Sequence, residues 1–115
     1  MIAFLLAVAL YAANGITVPP VHYQVADCDH HYAYYQHWGD TITRCANSKP
    51  AMELHGMTPT EVYVHELAHH LDFTLLNGSH AGLTAEGFAE AVTDHLLGVY
   101  SPESEAAWQS IMEGQ

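Results

Sequence analysis

The alternation of apolar and polar positions divides the chain into three stretches. From Met1 to Asn14 almost every position is apolar and none is charged. From Val21 to Cys45 short apolar runs are interleaved with polar residues. From Thr58 onward the apolar positions recur every three or four residues, the spacing of one face of a helix.

Strands are expected in the middle stretch. Val18-Pro19-Pro20 interrupts regular structure on either side. Val21 to Ala26 alternates loosely and is β-prone, which predicts a strand. His30 to Trp38 is rich in Tyr and His and fits a helix or a strand equally well. Gly39-Asp40 is a turn signal, and Thr41 to Cys45 reads as a second strand. Asn47 to Gly56 reads as loop.

Three helices are then predicted, each with its own start signal. Thr58-Pro59-Thr60-Glu61 combines an N-cap threonine, a proline at the first helical position and a glutamate three residues after the cap. This helix should run to about Leu76 and stop at Asn77-Gly78, with Val62, Val64, Leu67, Leu71 and Leu75 supplying the core. Thr84 caps a second helix, Ala85 to Leu97, stopped by Gly98. Ser101-Pro102 opens a third, in which Ala107, Trp108, Ile111 and Met112 form a packing stripe. Strands early and helices late predict an α+β fold: a short N-terminal sheet, then three helices.

Length and composition sharpen this picture. At 115 residues, half of them apolar, the chain is one domain with a packed core. Met1 to Asn14 is too short to span a bilayer, and Ala13-Asn14-Gly15 is a small-x-small sequence of the kind cut by signal peptidase. Residues 1–15 therefore read as a secretory signal peptide, leaving 16–115 as the domain with no membrane attachment. The segment carries no Lys or Arg, and a buried N-terminal helix is the competing expectation. Two cysteines, Cys28 and Cys45, fit a disulfide in a secreted or periplasmic protein. Free thiols and thiolate ligands are the alternatives, but the spacing matches no common zinc pattern. Thirteen acidic residues against two basic ones give a formal charge of −11. Such a surface argues against nucleic-acid or anionic-membrane partners and favours neutral or basic substrates. The charge pattern says nothing of oligomeric state.

Ten histidines are the first sign of metal chemistry. Two of them lie in His65-Glu66-Leu67-Ala68-His69, inside the first predicted helix. Residues at i and i+4 share a helix face, so both imidazoles can converge on one ion. Glu66 projects about 100° away around the axis, within reach of a water on that ion, whose proton it can take. A catalytic zinc needs a third protein ligand and one open position. Glu86, Glu90 and Asp94 follow one another at i+4 intervals in the next helix. Like charges on one face repel, and a cation would relieve them. A solvated acidic face is the plainer alternative.

The pair of motifs, His65-Glu66-Leu67-Ala68-His69 followed by Glu86-Gly87-Phe88-Ala89-Glu90-Ala91, resembles the gluzincin metallopeptidases, in particular the aminopeptidase-like and anthrax-lethal-factor-like groups. The resemblance covers about Thr58 to Leu97. It implies a single Zn2+ held by His65, His69 and Glu86, with Glu90 orienting a ligand histidine and the strand Thr41 to Cys45 as the sheet edge that pairs with substrate. The pair Glu90 and Asp94 is equally spaced, so spacing alone leaves Glu90 open as the ligand. Metzincins are excluded because Asp72 and Leu75 stand where that class has Gly and His. Gluzincins use a Tyr or His to stabilise the oxyanion, and His80 and Tyr100 are the candidates. His70 is expected to be structural. His30, His31 and His37 form either a second metal site or a Tyr/His-rich loop lining the cleft. The expected activity is endopeptidase cleavage of a peptide or protein, with Glu66 as general base. The competing expectations are a non-catalytic zinc-binding module and a histidine-rich metal buffer.

Overall fold

The computed structural model describes residues 1–28, 31–46 and 56–115. The apolar lead is a helix, α1 (Ile2–Ala13). Three strands follow: β1 (His22–Ala26), β2 (Ala33–Gln36) and β3 (Thr41–Cys45), with a 3-10 turn at His37–Gly39 before β3. The rest is helical: α2 (Pro59–Leu75), a 3-10 turn at His80–Gly82, α3 (Ala85–Leu96) and α4 (Pro102–Gly114). This is the α+β fold expected from the sequence. The expected loop at 47–55 and His30 lie outside the described residues.

Each later helix starts where its cap predicts. The Thr58 side chain accepts from the Glu61 N–H at 3.2 Å, and that of Thr84 from the Gly87 N–H at 2.9 Å. Ser101 and Ser104 cap each other reciprocally. A cap of this kind contributes about 1 kcal/mol. α2 is stopped as expected, with Asn77 (φ 54°) and Gly78 (φ 72°) in the left-handed region that these two residue types tolerate best.

The sheet departs from expectation in its order, β1-β3-β2, with β1 parallel and β2 antiparallel to β3. Thr41–Cys45 is therefore the central strand, not the edge. Its burial explains why: Ile42, Thr43 and Cys45 are fully enclosed, as suits a strand paired on both sides. The edge that borders the helices is β2, from the stretch that the sequence left ambiguous. Cys45 is disulfide-bonded to Cys28, with Cα atoms 5.2 Å apart. A loop of that length adds about 3 kcal/mol through chain entropy.

α1 packs against α2 as part of the core. Phe4, Ala7, Tyr11 and the following Ile16 are buried. Burial raises the Tyr11 pKa, and its hydroxyl donates to the Val64 carbonyl of α2 at 2.7 Å. The Tyr11 ring stacks on Trp108 of α4, centroids 6.2 Å apart, and Phe4 packs against Tyr23 and Tyr63. The leading segment is thus a helix packed against α2 and α4. None of the described helices is long and apolar enough to cross a membrane. In α2, Val62, Val64, Leu67 and Leu71 are buried as expected, and Leu75 is partly so. In α4, Ala107, Trp108 and Ile111 are buried while Met112 is exposed.

Candidate metal centre

α2 carries His65, Glu66 and His69 on the side that meets α3 and β2. Their donor atoms lie within 4.8 Å of one another. Glu86 reaches them from the first turn of α3 and bridges both imidazoles: one carboxylate oxygen lies 3.0 Å from His65 Nε2 and the other 2.9 Å from His69 Nε2. The local sequence explains this reach. Thr84 fixes the start of α3, and Phe88 and Ala89, both fully buried, set its rotation. Glu86 is left on the open side, its side chain 69% exposed. A Cβ at Gly87 would lie 2.9 Å from the Thr84 hydroxyl oxygen, so a side chain there would disturb the cap that positions Glu86.

Imidazole nitrogens and carboxylate oxygens gathered in this way could hold a metal ion. The electrostatics favour a cation. Glu66 borders the same cleft with its carboxyl group largely enclosed. Burial, and then the nearby Glu86 carboxylate, push its pKa up to about 8, partly offset by the neighbouring Tyr35 backbone. Two neighbouring carboxylates, with no Lys or Arg among the described residues lining the cleft, are relieved by a positive ion between them. Burial also holds the His69 imidazole below its ordinary pKa, against the opposing pull of Glu86. The neutral form is the one that ligates.

The cleft has a volume of about 400 Å³. The β2 side contributes Ala33, Tyr34 and Tyr35, and its flanks contribute His31 and His37. Phe73, one turn after His69, stacks face to face with His37 at 4.3 Å and closes the wall. His31 and His37 thus line the cleft, the second of the two alternatives for that histidine run.

The other sequence candidates lie elsewhere. Glu90 and Asp94 are exposed and border a shallow depression with Glu61 on the other side of His65. Among the described residues, Glu90 makes no hydrogen bond to either histidine. The acidic face of α3 is therefore solvated apart from Glu86. His80 is hydrogen-bonded to the fully buried Asp72 through both its backbone N–H and its ring Nδ1, and it sits in a left-handed conformation (φ 58°). Tyr100 is exposed against the edge of His95. Neither His80 nor Tyr100 lines the cleft. His31, Tyr34 and His37 do, and the clustering of Tyr and His before the turn at Gly39-Asp40 was the signal for them. His70 is buried and structural, its Nε2 2.9 Å from the Pro19 carbonyl oxygen.

No protein-family model, curated protein or solved structure matches the chain. The functional reading therefore rests on the residues and their geometry.

Proposed function

We propose that the chain is a zinc-dependent endopeptidase of gluzincin type, with His65, His69 and Glu86 as metal ligands. The observation that carries this reading is the bridging of both imidazoles by Glu86, with the Glu66 carboxyl beside them in one open cleft. When bound, zinc would supply Lewis-acid polarisation of a carbonyl and of a water molecule.

The chain's own residues do the rest. Glu66 takes a proton from the attacking water and returns it to the leaving amine. Its enclosed position raises its basicity, as the task requires. A purely structural site would have no use for an acid placed this way and would close its fourth position. The outer edge of β2 offers the Ala33 N–H and C=O and the Tyr35 C=O to an extended peptide, main-chain recognition that tolerates many sequences. His31, Tyr34 and His37 are the side chains placed to donate to a developing oxyanion. The disulfide supports an oxidising compartment, secreted or periplasmic.

The test is cleavage of a mixed peptide library by the purified chain. Products should form with zinc, cease on chelation and return when zinc is restored. Stoichiometric zinc binding without any cleavage would refute the peptidase reading in favour of a non-catalytic zinc module.

A further inference from the structure

The turn that joins α2 to α3 holds the chain in an uncommon conformation. Asn77, Gly78, His80, Ala81 and Gly82 all have positive φ, from 49° to 83°. Asn and Gly adopt this left-handed region readily. His80 (φ 58°) and Ala81 (φ 49°) do so at a cost that the surrounding structure must offset. The turn ends just before Thr84, the cap of α3, which stands two residues ahead of Glu86.

Asp72 holds this turn. Its carboxylate is fully buried in α2, one turn after His69, where an unpaired charge would be very costly. Both carboxylate oxygens meet one residue of the turn. Asp72 Oδ1 accepts from the His80 backbone N–H at 2.9 Å, and Oδ2 meets the His80 ring Nδ1. The Asp72 carbonyl also accepts from the Gly78 N–H at 3.0 Å. From His80 the bonds run on toward α3. Its carbonyl accepts from the Leu83 N–H at 2.9 Å, and the Thr84 hydroxyl then accepts from the Gly87 N–H at 2.9 Å. The His80 ring stands edge-on to Phe73, a wall of the cleft, and a Cβ at Gly78 would lie 3.0 Å from that same Phe73 ring. A series of hydrogen bonds thus links α2 just after His69 to the first turn of α3, where Glu86 leaves to meet both histidines.

We propose that Asp72 and His80 are a positioning pair for Glu86: their clasp fixes the strained turn, and with it the place where α3 begins and its carboxylate reaches the metal. This rests on Glu86 being a ligand, as proposed above, and not on peptide cleavage. His80→Gly accepts the left-handed backbone and removes the ring. Its affinity for Zn2+ should fall on the order of tenfold, the lower end of the loss for a group that orients a ligand. Cobalt(II) bound in its place should show altered visible absorption bands, because the ligand set changes. His80→Asn should keep both properties near wild type, since Asn tolerates this conformation and its Nδ2 stands where the ring Nδ1 was. Ile111→Val trims a buried residue of α4 that does not line the cleft. It should lower the melting temperature and leave Zn2+ affinity and the cobalt bands unchanged.

The experiment is titration of Zn2+ and Co2+ into these metal-free variants and wild type, with Glu86→Ala alongside. If His80→Gly keeps wild-type affinity and bands while Glu86→Ala loses affinity, the clasp is overturned and the ligand assignment stands. The clasp is equally overturned if His80→Asn or Ile111→Val loses as much affinity as His80→Gly. Glu86→Ala binding as tightly as wild type would refute the ligand assignment and the role of the clasp with it. The expected metal pattern in a chain that cleaves no peptide would support the clasp and refute the peptidase reading alone.

Discussion

Glu66→Gln should lower peptide cleavage by on the order of 10³-fold while leaving zinc bound. Gln has nearly the same shape, so the cleft should keep its form. It cannot take a proton from water. Removing the ionisable carboxyl also ends the cost of burying it and then its repulsion from Glu86, so the metal-free variant should be at least as stable as wild type. The measurements are kcat/KM on a cleaved peptide, zinc per chain and a thermal melt. Cleavage unchanged by the substitution would remove Glu66 from the chemistry. A large loss accompanied by loss of zinc would mean that Glu66 serves the metal, since its carboxyl does lie within 4.8 Å of the histidine donor atoms.

The second large effect concerns α1. A chain starting at Ile16 should lose cooperative unfolding and its metal site together. Phe4 and Tyr11 are each worth about 1.5–3 kcal/mol when buried, and the exposed surfaces of Tyr63, Val64 and Trp108 add to the loss. That sum is comparable with the whole stability of a domain this size, about 5–15 kcal/mol. Tyr11 bonds to the carbonyl of Val64, next to His65, so a disordered N-terminus would loosen the helix that carries both histidines. Urea unfolding of the truncated and full chains decides it. A truncated chain that folds cooperatively and binds zinc as tightly as the full one would favour the signal-peptide expectation.

The parts of this structure legible in the sequence are those encoded locally. Thr58, Thr84 and Ser101 mark their helices because a cap acts within one turn, and the i, i+4 histidines share a face through helix geometry alone. Glu86 was singled out only by the resemblance of the Glu86-Gly87-Phe88-Ala89-Glu90 motif, since spacing alone left Glu90 open. What the sequence left undecided or misplaced depends on long-range pairing. Thr41 to Cys45 looks the same as a central or an edge strand until the order β1-β3-β2 is known. The i+4 acids Glu90 and Asp94 resemble Glu86 in spacing, and only the packing of Phe88, Ala89 and Val92 shows that they turn to solvent. The apolar lead is ambiguous because a leader and a buried helix have the same composition. The Tyr35 hydroxyl bonds to Asp40 and to His70, residues up to 35 positions away that no local pattern connects to it.

The central claim is one metal centre built by His65, His69 and Glu86. Calorimetric titration of zinc into the metal-free chain, beside Glu86→Ala and Glu90→Ala, tests it most directly. One ion per wild-type chain is expected, with Glu86→Ala weaker by on the order of 100-fold or more, at or beyond the loss typical of an outer-shell partner. Glu90→Ala should bind as wild type does. Several equivalent weak sites, or a single site indifferent to Glu86→Ala, would contradict the account.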